Sequence, residues 1–413
     1  MPFELAVPIP SNLPTAVLIA AQVRVIPAST LARCAFSVAI CLGLVAAPAA
    51  ALAAAPVAAL AAALAAAPVA ALAAAPVAAE VLPLPANHQA LLQSVAEDPA
   101  PKMLLGNNAS LFGKHYWASN EWHLELFAAH LKPTGGAYVG VGSDQAYLLM
   151  GMTRPEVAWL VDYDADIVML QRIYRAFFAA TADRREFMPL WRADHVATSK
   201  DLIRKQLSGR ADVAAHLKLF GLARSKIERR LLRVTANFTK AKVASFLTDD
   251  ATYTWLRQLE LAGRIRSLRA DLLLQGAIAQ IGQNTRQMGL TVRSLYLSNA
   301  EGYWNYTPQF RSNIASLPID DHAVLLRTIG TWNHNFDYIY HVMPMQSYAA
   351  WVASDYIHNF RAMVRFRLPK AGEYFALVSP ASQPPPAPPP RSSKPAARPP
   401  IVRKTAAAPA LAR

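Results

Sequence analysis

Cysteine is almost absent from this sequence. Among its 413 residues only Cys34 and Cys41 are cysteines, and both lie in an apolar N-terminal stretch. From Glu80 onward there is none, which excludes a disulfide framework, a thiolate nucleophile, a zinc knuckle and an iron–sulfur site in that part of the chain. A region without cysteine tolerates an oxidising compartment as well as a reducing one. Cysteine usage therefore leaves the compartment open.

Charged residues are nearly absent from the N-terminal flank, and acidic residues are absent from the C-terminal flank. Residues 1–79 carry only Glu4, Arg24 and Arg33 as charged side chains, and residues 379–413 carry six basic side chains without an acidic one. The formal net charge of the chain is +14, of which the flanks supply +1 and +6, so residues 80–378 carry +7. A mildly basic unit of 299 residues remains between the flanks, which is long enough for a sizeable core.

The N-terminal region has the order of a secretory signal peptide. Arg24 and Arg33 precede an apolar run at residues 35–47, and small residues follow that run. The run is shorter than the about 20 residues that a membrane span needs. We predict a signal peptide over residues 1–50 and an exported or periplasmic protein. The alternative is a misassigned start codon, which would leave the protein in the cytoplasm.

Two segments of low complexity are predicted beside the folded part. Residues 51–100 are rich in alanine, and Pro56, Pro68 and Pro76 interrupt any helix there. We interpret this segment as a flexible spacer. Residues 379–413 are rich in proline and basic, and are predicted to be a disordered tail. The folded domain is therefore predicted over residues 101–378.

Strand-like and helical patterns alternate along that domain. The patterns predict helices over residues 119–131, 143–152, 167–182 and 273–288, and strands over residues 137–142, 157–161, 264–270, 291–297, 323–329 and 338–342. Residues 183–263 are helical and strongly charged, without a convincing strand. This alternation predicts an α/β fold with a doubly wound, mostly parallel, Rossmann-like sheet and a helical insert between the second and third strands.

Polar residues collect where the predicted strands end, which is where such sheets bind ligands. A Gly-x-Gly pair ends the first strand, polar residues open the next helix, and acidic or amide side chains follow three later strands. The predicted binding residues are Gly140, Gly142, Ser143, Asp144, Gln145, Asp162, Asp271, Asn299 and Glu301. Turn and capping roles alone are the alternative, because any tight turn from strand to helix uses glycine.

The first loop fits a phosphate site poorly. Gln145 stands where a dinucleotide fingerprint has its third glycine, and the chain has no Gly-Lys-Ser/Thr motif. The acidic Asp144 suits a cationic or zwitterionic ligand better than a pyrophosphate. Asp162, at a strand end 20 residues after Gly142, suits the two hydroxyls of a ribose. These features favour S-adenosylmethionine over a nicotinamide dinucleotide or a nucleoside triphosphate.

The sequence resembles a family of bacterial proteins of unestablished activity with a core like that of class I S-adenosylmethionine-dependent methyltransferases. The resemblance covers about residues 111–375 and rests on residues 136–145, 161–162 and 294–303, with residues 119–121 and 181–187 in support. It implies Gly140 and Gly142 under the cofactor, Asp162 on the ribose and Asp271 near the adenine. Ser298 and Asn299 would line the active site. The first strand departs from the pattern, because it lacks the acidic residue that usually opens the glycine motif.

A second resemblance is to the aminocarboxypropyl transferases that make betaine lipids. It implies transfer of a different part of the same cofactor, and a helical insert facing an anionic membrane. The basic residues of this insert are Lys200, Arg204, Lys205, Arg210, Lys218, Arg224, Lys226, Arg229, Arg230 and Arg233. A solvated helix surface is the alternative. Apart from a small-molecule ligand and weak membrane contacts of the insert and tail, no partner is predicted, and specific nucleic-acid binding is not expected.

The catalytic candidates are Asn299, Tyr303 and His334. The histidine lies among polar neighbours near a strand, and its ordinary pKa suits a general base. No metal site is predicted, because His322 follows two aspartates without a third ligand at metal-binding spacing. The sequence thus predicts an S-adenosylmethionine-dependent transferase of unknown substrate. The alternative is an exported, non-catalytic ligand-binding or envelope protein on the same scaffold.

Overall fold

The computed structural model describes residues 81–106, 109–364, 368–378, 383–384 and 386–387. The predicted signal peptide lies outside these residues, as do the spacer up to residue 80 and almost all of the predicted tail. Among the described residues, no helix combines the length and the apolarity that crossing a membrane requires.

In the described part of the chain, seven strands form one sheet in the order β3-β2-β1-β4-β5-β6-β7. All neighbouring strands are parallel except β5 and β6, which are antiparallel. The prediction of an α/β fold with a mostly parallel sheet is therefore confirmed. The strands are β1 (Ala137–Gly140), β2 (Val157–Asp162), β3 (Ile265–Arg269), β4 (Val292–Ser298), β5 (Val324–Gly330), β6 (Tyr338–Pro344) and β7 (Ala376–Val378).

Eleven α-helices are described around this sheet. They are α1 (Ala86–Ser94), α2 (Asp144–Thr153), α3 (Ala165–Ala180), α4 (Arg184–Phe187), α5 (Val196–Gln206), α6 (Val213–Ala241), α7 (Asp250–Leu261), α8 (Ala277–Gln287), α9 (Pro308–Ser316), α10 (Trp332–Asn335) and α11 (Met345–Ala353). Short 3₁₀ helices span Ala109–Leu111, Leu124–His130, Met188–Trp191, Ala193–His195, Ala300–Tyr303 and Phe360–Ala362.

The strands bury both faces of the sheet, each against its own core. Because side chains alternate along a strand, Tyr138 and Leu160 belong to a core with α2, α3 and α6. Val139 and Trp159 belong to a second core with α8, α9 and α11. Strands that are apolar on both faces give the near-continuous apolar runs by which the sequence revealed them.

The chain between β2 and β3 is helical and includes the 29-residue helix α6. One face of α6 is apolar and joins the core that contains α3. A charged side chain, Arg230, lies fully buried on that same face. Its Nε lies 2.9 Å from Oδ2 of Asp144, at the start of α2. An ion pair inside the protein thus attaches α6 to the start of α2.

Residues 119–131 do not form the α-helix that the sequence predicts. Residues 119–123 are non-helical, and a 3₁₀ helix follows at Leu124–His130. Ser119 does not cap a helix, because its hydroxyl donates to Glu121 Oε2 over 3.1 Å and accepts from the Glu121 amide over 3.0 Å. A buried polar cluster, rather than helix propensity, decides the conformation here.

The packed part of the chain begins before Pro101, inside the predicted spacer. Leu92 and Val95 are buried in the second core, and Arg266 of the edge strand β3 donates to the carbonyl of Val95 over 2.9 Å. Residues 86–98 therefore cover the outer edge of the sheet, which would otherwise expose unpaired backbone groups. The apolar spacing of this short segment was obscured by the alanine-rich sequence before it.

Candidate functional site

The strand order reverses between β1 and β4, because β2 and β3 continue on one side of this pair and β5 to β7 on the other. In doubly wound sheets the ligand crevice lies outside the carboxyl ends of the strands at this point. A cleft of about 800 Å³ lies there. Seven residues predicted from the sequence line it, namely Gly142, Gln145, Asp162, Asp271, Ser298, Asn299 and Tyr303.

Gly142 and Asp162 hold the loops after β1 and β2 together. The Gly142 amide donates to Asp162 Oδ2 over 3.0 Å, and the Asp164 amide donates to Asp162 Oδ1, also over 3.0 Å. Gly142 has φ of +89°, a conformation that favours glycine. Each carboxylate oxygen has a second lone pair, so Asp162 can still accept hydrogen bonds from a ligand in the cleft.

Asp162 titrates near neutrality. Burial raises the pKa of its carboxyl from 3.8 to about 7, and the backbone amides of Asp164, Gly142 and Tyr163 offset part of that rise. The neighbouring charge of Asp164 raises the pKa further. A ligand that donates hydrogen bonds to this carboxylate therefore meets its ionised form more often as the pH rises through 7.

Asp271 follows β3 and lines the same cleft as Gly142. Its amide donates to Asp98 Oδ2 over 2.9 Å, and its own Oδ1 accepts from the Leu273 amide over 2.9 Å. Burial raises the pKa of the Asp271 carboxyl. Residues before Pro101 thus support the site, because Asp98 orients the loop that carries Asp271.

The end of β4 is strained where it meets the cleft. Ser298 has φ of +52°, and the pairing with β5 shifts register between Tyr296 and Ser298. A non-glycine residue held in this left-handed conformation costs of order 1 kcal/mol, and such strain concentrates at functional sites. Nδ2 of the next residue, Asn299, donates to the hydroxyl of Tyr338 over 3.4 Å. The distorted strand end thereby turns polar groups toward the cleft.

Glu121 lies buried beneath the cleft and was missed as a site residue. Oε1 accepts from Ser298 and Thr328 over 2.7 and 2.5 Å. Oε2 accepts from Tyr296 over 2.5 Å, from Ser119 over 3.1 Å and from Gln145 over 3.2 Å. Three of these donors line the cleft, Ser119, Gln145 and Ser298, so one carboxylate positions side chains from three parts of the chain.

Three residues predicted near the cofactor do not line the cleft. Asp144 is 1% exposed and pairs with Arg230, so its charge is matched inside the protein. Gly140 makes room for a core side chain, because an added Cβ there would collide with the ring of Tyr138. Ser143 is buried and donates to the Trp117 carbonyl over 3.2 Å. The charge of Asp144 therefore gives no reason to expect a cationic ligand.

Glu301 is also turned away from the cleft. It is 3% exposed, and its Oε2 lies 2.8 Å from Nη1 of the buried Arg327. Its Oε1 accepts from the hydroxyls of Tyr306 and Tyr348 over 2.5 and 2.8 Å. This buried network joins β5 to the helices beside it, so the position of Glu301 after a strand reflects packing.

His334, a catalytic candidate, lies on the short helix α10 and does not line the cleft, although Trp332 and Asn333 of the same helix do. The other two candidates, Asn299 and Tyr303, line it. Burial raises the pKa of the Tyr303 hydroxyl above 10, so at neutral pH this hydroxyl is protonated and can donate a hydrogen bond.

A histidine and two aspartates meet at the edge of the site. Ligand atoms of His115, Asp164 and Asp166 lie within 4.8 Å of one another. Protein donors already contact both carboxylates, since His115 Nδ1 lies 2.9 Å from Asp164 Oδ2 and Trp117 Nε1 donates to Asp166 Oδ2 over 2.9 Å. Hydrogen bonding accounts for this cluster, and the absence of a metal site stays a prediction.

The helical segment between β2 and β3 does not present all of its basic residues to solvent. Arg230 is buried in its ion pair. The Lys226 Nζ lies 4.7 Å from the centre of the Trp117 ring, and the guanidinium of Arg233 lies 4.1 Å from that of Trp122. These three cations hold the residues before β1 against α6. Membrane contact through the remaining basic side chains stays a prediction.

The family model described as a domain of unknown function, DUF7790, matches residues 116–377. The match covers more than half of the chain, and the protein therefore belongs to this family. The matched region begins just before Glu121 and ends in β7, so it includes nearly the whole sheet and most of the cleft. A comparison with curated proteins gives no match.

Proposed function

We propose that the protein is an S-adenosylmethionine-dependent transferase that moves a methyl or an aminocarboxypropyl group, with the cofactor bound in the cleft. The observation that carries the proposal is the position of Asp162. It ends β2, lies 3.0 Å from the Gly142 amide, and lines the cleft at the reversal of strand order. A carboxylate in that position suits the two hydroxyls of a ribose.

The proposal includes a Rossmann-like, methyltransferase-like fold with a helical insert. Its support is the order β3-β2-β1-β4-β5, which agrees with that of doubly wound nucleotide-binding sheets. Helices pack on both faces of the sheet. The helices α4 to α7 follow β2 and its helix α3, where the insert is expected.

The charge and size of the cleft fit this cofactor. The charged side chains that line it are Lys114, Asp162, Asp164 and Asp271, an acidic surplus of two when all are ionised. An acidic lining favours a sulfonium and an ammonium group over a phosphate. The volume of about 800 Å³ lies within the roughly 300–1,000 Å³ of small-molecule sites. The acidic lining of the cleft thus gives a reason to expect a cationic or zwitterionic ligand, which the buried Asp144 does not give.

The bound cofactor would supply an electrophilic carbon attached to sulfur. The chain would bind and orient it, with Asp162 accepting from the ribose hydroxyls and Asp271 placed on the side of the base. Asn299 and the protonated hydroxyl of Tyr303 would face the acceptor. These roles require no proton transfer by His334, which does not line the cleft.

Calorimetry with S-adenosylmethionine and its demethylated product tests the proposal on the full chain. Asp162→Asn should weaken binding about 10–100-fold, because hydrogen bonds to a charged acceptor contribute roughly 1.5–3 kcal/mol each. Glu156→Gln is the matched control. Glu156 precedes β2 at its opposite end and accepts from the Gly136 amide over 3.2 Å, so its replacement should leave the affinity unchanged.

The pH dependence adds a second readout. With a pKa of about 7 for Asp162, roughly a tenth of the carboxyls are ionised at pH 6 and nine tenths at pH 8. Wild-type affinity should therefore rise about tenfold over this interval, and that of Asp162→Asn should not. No binding of either compound by folded protein at high concentration would reject the proposal.

A non-catalytic, exported binding protein is the second candidate, and the signal-peptide pattern at residues 1–50 favours it. Export separates a protein from the compartment that makes S-adenosylmethionine. Mass spectrometry of the mature N-terminus in fractionated cells distinguishes the two candidates. Processing near residue 50 would support the second candidate, and an unprocessed cytoplasmic chain would support the first.

A further inference from the structure

A second pocket, of about 320 Å³, lies at the outer edge of the sheet, and none of its lining residues lines the cleft. The edge strand β3 contributes Arg266 and Ser267, and α3 contributes Arg172 and Arg175. The loop between α5 and α6 adds Arg210. Four arginines from three separate elements therefore converge on one small cavity.

Three of these arginines have carboxylate partners. Arg172 Nη2 lies 2.5 Å from Glu97 Oε1, and Arg175 Nε lies 2.7 Å from Glu260 Oε2. Arg210 forms two hydrogen bonds of 2.8 Å with Asp212. These pairs largely cancel in charge, so any excess positive charge of the pocket must come from the fourth arginine.

Arg266 forms no ion pair with any carboxylate of the described chain. Its Nη1 donates to Gln93 Oε1 over 2.8 Å, and its Nη2 donates to the Val95 carbonyl over 2.9 Å. Both acceptors are neutral. Burial lowers the pKa of Arg266, the negative charge of Glu97 raises it, and the charges of Arg175 and Arg210 lower it. The four arginines and the three carboxylates Glu97, Glu260 and Asp212 together leave one net positive charge at the pocket.

Two buried polar atoms in the lining also lack partners within the described residues. They are Nε of Arg266 and Oγ of Ser267, and Ser267 is only 5% exposed. A buried donor without an acceptor destabilises the folded protein, and a charged donor does so more strongly. Both atoms are closed to solvent, whereas other parts of the Arg266 side chain line the pocket, where an oxyanion would match its positive charge.

We propose that this pocket binds a phosphate group, either free phosphate or a phosphate monoester of a small molecule. Guanidinium groups bind tetrahedral oxyanions through paired N–H donors. Phosphate offers more acceptor atoms than a carboxylate, which suits guanidinium donors that approach from α3, β3 and the α5–α6 loop. The volume exceeds that of one phosphate ion, so the pocket has room for part of an ester.

Calorimetry of the full chain at low ionic strength tests the proposal with inorganic phosphate, glycerol 3-phosphate and acetate. Phosphate should bind more tightly than acetate, and Arg266→Met should weaken phosphate binding at least tenfold. Arg264→Met is the matched control. Arg264 belongs to the same edge of the sheet and donates to the carbonyls of Leu82 and Glu156, but it does not line the pocket.

The Kd of the control Arg264→Met for phosphate should lie within twofold of that of the wild type. A tighter Kd for glycerol 3-phosphate than for inorganic phosphate would identify an ester as the ligand, and equal values would identify free phosphate. Absence of phosphate binding up to 10 mM, equal binding of acetate, or an unchanged Kd in folded Arg266→Met would overturn the proposal. If Arg266→Met does not fold, Arg210→Gln at the half-exposed rim replaces it and should weaken binding at least threefold.

Discussion

The ion pair between Arg230 and Asp144 predicts a large and specific loss of stability when one partner is removed. Both side chains are 1% exposed, and their Nε and Oδ2 atoms lie 2.9 Å apart. Arg230→Met leaves Asp144 as an unpaired charge inside the protein, which costs about 3–5 kcal/mol in comparable cases. The same change removes the donor to the Glu121 carbonyl, 2.5 Å from Nη1. We therefore expect the free energy of unfolding to fall by about 3–5 kcal/mol.

The double variant Arg230→Met/Asp144→Leu separates this charge effect from a loss of packing. Replacing a buried ion pair by apolar side chains of similar size is often neutral or stabilising. The double variant should therefore recover at least about 2 kcal/mol of the loss seen in Arg230→Met. Such recovery would show that the cost arises from the unpaired carboxylate.

Urea denaturation followed by far-ultraviolet circular dichroism measures both effects. Arg233→Met is the matched control, because Arg233 lies one turn further along α6, is exposed, and contacts the Trp122 ring from outside. It should lose less than about 1 kcal/mol. A loss below about 1 kcal/mol in Arg230→Met, or a double variant less stable than that single variant, would refute the reasoning.

Three further predictions concern Glu121 and the segments on either side of the folded domain. Glu121→Gln should weaken S-adenosylmethionine binding about tenfold in calorimetry, because the donors that Glu121 orients would lose charge-assisted hydrogen bonds. The control Glu301→Gln, at a buried glutamate outside the cleft, should lower the melting temperature without changing the affinity. Equal affinities in both variants would contradict the positioning role of Glu121. Removing residues 1–80 and 379–413 should leave the melting temperature within about 2 °C. Removing residues 1–99 should lower the melting temperature by roughly 5–10 °C in calorimetric scans, because the burial of Leu92 and Val95, about 1.5–3 kcal/mol per side chain, is lost. An unchanged melting temperature would show that residues 81–99 do not support the fold.

The cleft shows where local sequence patterns fail. Position after a strand was the only available signal for Asp144 and Glu301, and both residues instead form buried ion pairs with arginines far away in the sequence. Glu121 shows the reverse error, because it belongs to the site but was not predicted there. It follows Ser119 in a pattern typical of a helix start, whereas its role depends on donors from β4, β5 and α2. Pairings over such distances leave no local pattern.

The sequence by itself determined six of the seven described strands, all but β7, and the edge of the sheet at which the polar residues collect. Continuous apolar runs bounded by turn residues are local properties, so β2 was predicted over residues 157–161 and is observed at Val157–Asp162. Gly142, Asp162, Asp271 and Asn299 share the cleft because parallel strands end at one edge. The tertiary structure alone decided which charges face the cleft and which are matched inside the protein. A charge is buried only where a partner and hydrogen bonds offset its desolvation, and only the packed chain supplies these partners.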